Sequence, residues 1–500
     1  MRTFYVLGVD QSTQGTKAVI FDREGKLIER ADAAHRQIIN EKGWVSHDPE
    51  EIYRNVLKAC REAVAGAGID PSQIACMGIT NQRETTVIWD RETGKALADA
   101  IVWQCNRAAD LCAKIEEKYH CSEKIYEKTG LKLSPYYPAA KLAWLIEEIP
   151  GVKEKMKEGR AAFGTIDSWL IFKLTEGRSH KTDYSNASRT QLLDLQTLEW
   201  DREICGYFGI DERMLPQLAD SDSVFGETTL GGFLEKPIPI CGVLGDSHGA
   251  LFGHNCRKAG GIKATYGTGS SVMLNTGDRR IASRHGLSTS VAWKAGGNVS
   301  YVLEGNINYT GAVISWLKDE IGLIHSAGES ETFALEANKQ DETYIVPAFS
   351  GLGAPWWKND VRAVITGMNR TTGKKELVKA ACDCIAYQIN DVVDAMRADT
   401  GLEIGELCVD GGPTRNHYLM QFQSDISGVT IKIPDAEELS VIGASYLAGI
   451  SAGVYDPETI YKAISYSYYG VKMDPEIRKK KISGWESAVQ MLLNGKEEKR

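Results

Sequence analysis

The chain opens on an apolar run, Tyr5-Val6-Leu7-Gly8-Val9, which predicts a strand covered on both faces. A polar loop from Asp10 to Thr16 follows, then a second strand from Lys17 to Phe21. A turn at Asp22–Gly25 leads into a third strand from Lys26 to Glu29. The period then changes. Asp48 suits a helix N-cap, Pro49 the first helical position, and Glu51 the far side of a capping box. Ile52, Val56, Cys60, Ala63 and Val64 recur at helical spacing and predict one buried face. Strands and helices alternate from there on, the pattern of an α/β chain.

Near the midpoint the opening motif returns. Gly261 to Tyr266 reads as a strand, Gly267-Thr268-Gly269-Ser270 as a tight loop, and Ser271 to Asn275 as the returning strand. Two hairpins of one kind, one opening each half, suggest a duplicated architecture with a ligand between the halves. The boundary then falls near residue 250, giving domains 1–250 and 251–500. A third polar turn, Asp410-Gly411-Gly412-Pro413-Thr414-Arg415-Asn416, follows the strand Leu407-Cys408-Val409. It is either a plain turn or bare backbone laid against a flat ligand.

Five hundred residues exceed one hydrophobic core, in keeping with two domains. A formal net charge of -9 argues against a general nucleic-acid or acidic-membrane binder, since both need basic patches. The one dense basic run, Arg478-Lys479-Lys480-Lys481, reads as a solvated helix face. Eleven cysteines without a CxxC pair suggest buried thiols in a reducing compartment. The N-terminus enters a strand with no signal-peptide core, and no apolar stretch approaches the roughly 18 residues of a membrane span. A cytoplasmic enzyme is expected.

Phosphoryl transfer needs backbone N–H groups and hydroxyls around phosphates, a carboxylate for a metal, and a positioned nucleophile. Asp10, at the end of the first strand, with Thr13, Gln14 and Gly15 after it, offers one jaw of such a site; Gly267, Thr268 and Gly269 offer another. Each loop read alone is equally a plain turn, and the GxxxxGK[ST] phosphate loop does not occur. Arg83-Glu84 sets a five-donor fork beside an acceptor carboxylate, which suits adjacent hydroxyls or, on a surface, a simple ion pair. Trp103 and Tyr136 suit a carbon-facing wall with a polar tip, or core packing.

Longer stretches carry a resemblance over nearly the whole chain. They include Gly43 to Pro49, Gly78 to Thr86, Ala100 to Cys105, Phe163 to Leu170, Thr182 to Thr190, Val346 to Pro355 and Met420 to Asp425. Two signatures fit as well: Tyr136 through Lys141 with Trp144 to Glu148, and Ala363 through Gly367 to Asp383. On these residues the sequence resembles the FGGY family of carbohydrate kinases, nearest its glycerol-phosphorylating members. The resemblance implies two duplicated ribonuclease-H-like domains of the actin/hexokinase/Hsp70 superfamily, with ATP and a small polyol meeting in a central cleft. It implies Asp246 as catalytic base and, with Asp10, as holder of Mg2+. Arg83, Glu84, Trp103, Tyr136, Asp246 and Ser247 would bind the polyol. Thr13, Gln14, Gly15, Lys17, Thr268, Gly311, Ser315, Gly412 and Asn416 would bind the nucleotide, and a homodimer or homotetramer would be usual. His248 reads as a structural neighbour of Asp246.

Two positions depart from the family pattern. Ser247 stands where Gln is usual after the base, and Ser271 where an aromatic residue usually faces the glycerol carbons. Both replace a larger side chain with a small hydroxyl, so the pocket should be wider and wetter, and a tetritol or pentulose kinase is the alternative reading. A non-catalytic nucleotide-dependent relative is a further alternative, disfavoured because the Arg83-Glu84 fork and Asp246 both persist.

Overall fold

Apolar runs and Gly-rich turns in the first 35 residues fold into three antiparallel strands. In a computed structural model describing residues 4–494, these are β1 (Tyr5–Gln11), β2 (Gly15–Phe21) and β3 (Leu27–Ala34). Helix α1 (Pro49–Ala67) starts where the Asp48 side chain accepts from the Glu50 N–H at 2.8 Å, and it stops at Gly68, whose φ is 63°. The cap is one-sided: Asp48 serves Glu50, and Glu51 does not close the box. Strand β4 (Ile74–Asn81) then runs parallel to β1. After an inserted lobe come β5 (Gly226–Thr228) and β6 (Ile238–Gly245), and the sheet order is β5-β6-β4-β1-β2-β3.

Helix α2 (Asp246–Gly253) leads out of that sheet, and the pattern repeats. Strands β7 (Ile262–Tyr266), β8 (Ser270–Gly277), β9 (Ser288–Ala295) and β10 (Asn298–Ile307) are followed by α3 (Gly311–Asp319) and α4 (Lys374–Thr400). Strand β11 (Glu406–Asp410), α5 (His417–Ser427), β12 (Thr430–Pro434), α6 (Leu439–Ser451), β13 (Tyr466–Tyr469) and α7 (Pro475–Asn494) complete it. The second sheet has the order β9-β10-β8-β7-β11-β12-β13. In each sheet an antiparallel set, three strands in the first and four in the second, is extended by two parallel strands and closed by one antiparallel edge strand. The duplication expected from the two hairpins is therefore real.

The halves are knitted by crossing helices. Gly8, Gly78 and Gly242 stand side by side on β1, β4 and β6. A Cβ there would lie 2.2 Å from Ser445 Oγ, 2.6 Å from Ala444 O and 2.5 Å from Ala444 O respectively. This glycine row is the bed on which α6, from the far end of the chain, lies against the first sheet. Helix α6 also crosses α2 at backbone contact, because a Cβ on Gly443 would sit 1.9 Å from Gly249 O. The residues around this crossing, among them Val19, Phe21, Leu251, Ile442 and Tyr446, form one core shared by both halves.

The inserted lobe, between β4 and β5, has its own core around Ile101, Leu145, Phe163 and Met214. All eleven cysteines are free and buried. The basic run on α7 is only partly the solvated face expected. Lys479 and Lys480 point outward, but Arg478 Nε donates to Ile426 O at 2.7 Å and Lys481 is half-buried. Among the described residues no helix is long and apolar enough to cross a membrane.

Candidate active site

Parallel strands end with their carboxyl ends together, and three adjacent ones deliver the chemistry-bearing residues here. Strand β1 carries Asp10 as its last residue but one, β4 runs into Arg83-Glu84, and β6 into Asp246 at the start of α2. Open α/β sheets bind ligands at this edge. The Arg83 Nε lies 3.1 Å from Asp246 Oδ1, so the two are not merely on one side of the cleft but in contact. Asp246 keeps 39% of its side chain exposed, whereas Arg83 keeps 6%. Glu84 holds a left-handed backbone at φ 60° and is 2% exposed, a strained posture of the kind that marks functional sites.

Around this pair the charges are unusually dense. Arg83 donates through its two terminal nitrogens to Glu304 on β10, at 3.1 and 2.7 Å. Arg189 Nε donates to Glu84 Oε1 at 2.6 Å, and its Nη1 lies 2.9 Å from Glu304 Oε2. Glu304 is completely buried. Burial alone would raise its pKa, but the two guanidiniums outweigh burial and hold it well below the usual carboxylate range. The sequence reading did not single out Glu304 or Arg189. A signal was present in the first case: Glu304 interrupts the otherwise apolar Tyr301-Val302-Leu303 run, where a charge is costly without a partner.

Trp103 and Tyr136 pack edge to face, with ring centroids 5.8 Å apart, and both are half-buried. The Trp103 indole N–H donates to Thr13 Oγ1 at 2.9 Å, which ties this aromatic wall to the loop after β1. Ser247 donates its backbone N–H to Asp246 Oδ1 at 2.6 Å. Ser271 Oγ donates to Glu304 Oε1 at 2.9 Å, so its hydroxyl belongs to the same cluster. His248 is buried beside Arg83, and burial first, then that positive charge, pushes its imidazole well below its ordinary pKa. It stays neutral against Ser290 Oγ at 3.3 Å, as a structural neighbour would.

Asp10 behaves differently from its neighbours. It is 7% exposed, and its Oδ1 has no hydrogen-bond partner. Burial raises its pKa to about 7, opposed by Lys17 and reinforced by Asp246. An orphaned carboxylate oxygen beside a second carboxylate fits a divalent cation, which would restore the ionised form. Lys17 does not reach into open space. Its Nζ is 2.8 Å from Glu438, which also pairs with Arg30, so it bridges the halves.

The second group of predicted residues gathers elsewhere along the cleft. Gly311, Ser315, Gly412 and Asn416 line one pocket of about 460 Å³, with Ile314, Ile385, Pro413 and Leu419 supplying apolar walls. Gly411, at φ 100°, brings the chain so close to Tyr266 that a Cβ would lie 2.0 Å from its carbonyl oxygen. Asn416 caps α5 by accepting from Leu419 N at 2.9 Å, and its Nδ2 donates to Ser330 Oγ at 3.2 Å. The Gly267–Gly269 loop is bonded to this pocket's rim: Gly311 N donates to Gly267 O at 2.9 Å and Ala312 N to Thr268 O at 3.1 Å. Gln14 and Thr268 are exposed at the tips of their loops, and Gly15 is close-packed on Ala33.

Carboxylates and guanidiniums gathered where three strands end, with a separate pocket of about 460 Å³, suit a phosphotransferase. The models of the FGGY family of carbohydrate kinases match residues 5–253 for its N-terminal domain and 262–452 for its C-terminal domain, and the chain belongs to this family. It is 48% identical over 98% of its length to glycerol kinase 1 of Thermotoga maritima, 99% of which is covered. It is 44% identical to the glycerol kinase of Symbiobacterium thermophilum, with 98% of each chain covered. Its structure superposes on Plasmodium falciparum glycerol kinase with ADP at a TM-score of 0.93 and 37% identity, covering 98% of each chain. Xylulose kinase from Lactobacillus acidophilus, at 21% identity and a TM-score of 0.85, shares the fold.

Proposed function

We propose that this chain transfers the γ-phosphoryl group of ATP to a terminal hydroxyl of glycerol, giving sn-glycerol 3-phosphate and ADP. One observation carries the reading: Asp246 meets the buried Arg83 at 3.1 Å while 39% of its own side chain stays exposed. Glycerol is favoured over other polyols by the relatives, glycerol kinases at 44–48% identity over nearly the full chain. All eleven cysteines being free supports a reducing, cytoplasmic setting.

In this reading Arg83 and Glu84 grip neighbouring hydroxyls, one donating and one accepting. Trp103 and Tyr136 cover the carbon chain and exclude water from one side. Asp246 accepts the proton of the attacking hydroxyl as the oxygen meets phosphorus in line. Neutral His248 cannot compete for that proton from its buried position. The pocket between Gly311 and Asn416 takes the adenosine, and the loops at Thr13–Gly15 and Gly267–Thr268 flank the phosphates, with Lys17 at the base of the first. Asp10 and Asp246 would hold Mg2+, which supplies charge neutralisation on the phosphates.

Ser271 favours a second reading. It stands at the grip, hydrogen-bonded to Glu304, where a small side chain leaves room for a longer polyol or ketose. Comparing kcat/KM for glycerol, dihydroxyacetone, erythritol and xylulose separates the two. Glycerol is expected to lead, and glycerol trailing a four- or five-carbon substrate a hundredfold would replace the first reading with the second.

A further inference from the structure

We infer that Glu304, steadied by Arg189, is a positioning residue that sets the polyol grip and keeps Asp246 free to act. This rests on reading the site as a polyol kinase, and it concerns two residues that neither contact the gap themselves nor belong to the set read from the sequence.

The geometry is a chain of alternating charge: Asp246, Arg83, Glu304, Arg189, Glu84. Arg83 has five N–H donors, and Glu304 engages both of its terminal nitrogens. Only the Nε side is left facing Asp246. Without the Glu304 charge, the carboxylates left beside Arg83 are Glu84 and, already 3.1 Å from its Nε, Asp246. A bidentate pair with Asp246 would be strong and would mask the oxygen that must accept a proton. At the other end, Arg189 draws Glu84 toward the same carboxylate, which helps hold Glu84 in its left-handed backbone.

The chain also crosses the molecule. Arg83, Glu84 and Arg189 belong to the first sheet and its inserted lobe, whereas Glu304 and Ser271 sit on β10 and β8 of the second. Met273 of β8 pairs with Glu304 in the ladder, so Ser271 is its diagonal neighbour on the same face. The polyol grip is thus complete only when the second sheet stands against the first.

The test is steady-state kinetics of Glu304→Gln, an isosteric change, with glycerol and ATP varied separately. We expect kcat/KM for glycerol to fall by about 100-fold or more, the scale set by breaking a buried, hydrogen-bonded charge pair, while KM for ATP stays within about threefold. Ser271→Ala, which removes one donor to Glu304 and leaves every charge in place, should lower kcat/KM for glycerol by about three- to tenfold at unchanged Tm. Added to Glu304→Gln it should cost nothing more, because the two act through one group. Glu304→Gln within threefold of the parent, or equal losses for glycerol and ATP, overturns the inference. If Glu304→Gln does not fold, Ser271→Ala with unchanged glycerol kinetics overturns it instead. The parent protein is the control: failure of the parent to phosphorylate any polyol defeats the kinase reading, whereas an active parent matched by Glu304→Gln defeats only the positioning role.

Discussion

Asp10→Asn tests whether the first carboxylate of the cleft is built for a cation that the polypeptide does not supply. Burial raises the Asp10 pKa from 3.8 to about 7, and the groups around it are Lys17, Asp246, Glu438 and Arg30. An acid whose folded pKa exceeds its unfolded one binds its proton more tightly when folded. Its contribution is therefore fully present below pH about 4 and is lost as pH rises through about 7. Three units correspond to about 4 kcal/mol in all, and about 2.5 kcal/mol of it is lost between pH 5 and pH 8. Asparagine does not titrate, and other buried carboxyls with raised values, such as Asp167 and Asp391, are common to both proteins and cancel. In EDTA, the Tm of Asp10→Asn should gain on the parent by about 2–3 °C between pH 5 and pH 8, since about 2.1 cal/mol/K per residue makes 1 kcal/mol worth about 1 °C in a chain of this length. Adding Mg2+ and ADP at pH 8 should raise the parent's Tm more than the variant's. A Tm difference that stays flat from pH 5 to pH 8 refutes the reasoning, because Asp10 would then carry its charge without help.

Two glycines give independent tests. Gly411→Ala places a Cβ 2.0 Å from Tyr266 O at a φ of 100°, so KM for ATP should rise by about tenfold or more with little change for glycerol, measured by ADP release. Gly443→Ala must push α6 about 1.5 Å from α2 to relieve a 1.9 Å approach to Gly249 O. Overpacking of this kind costs about 1–3 kcal/mol. Since α2 carries Asp246, kcat should also fall by about tenfold or more, which a thermal melt and an initial-rate assay together report.

Local order along the chain was legible because it is local. The runs that form β1, β2 and β7, the cap at Asp48 and the turns at Gly267 and Gly411 all announce themselves within a few residues. The crossing of α2 and α6 does not, since Gly8, Gly78, Gly242 and Gly443 lie far apart in sequence and meet only in the folded molecule. Composition and spacing alone left Arg83-Glu84 indistinguishable from a surface ion pair. The family resemblance selected the grip, and the fold explains it by ending β4 beside β6. Lys17 was placed at the nucleotide by the resemblance alone, and its pairing with Glu438, on the approach to α6, has no local mark in the sequence. Glu304 was the most readable of the missed residues, a lone charge in an apolar strand.

The central claim is that Asp246 takes the proton of the attacking hydroxyl, and Asp246→Asn tests it most directly. The change keeps the shape of a half-exposed side chain and leaves Arg83 its two bonds to Glu304, so the fold and ADP affinity should hold. Loss of a general base is worth about 100- to 10,000-fold in kcat, or roughly 3–5 kcal/mol of barrier. Measured with glycerol and ATP at saturation, kcat should fall within that range while the Kd for ADP stays within about twofold. A kcat within tenfold of the parent would contradict the assignment of Asp246 and the mechanism built on it.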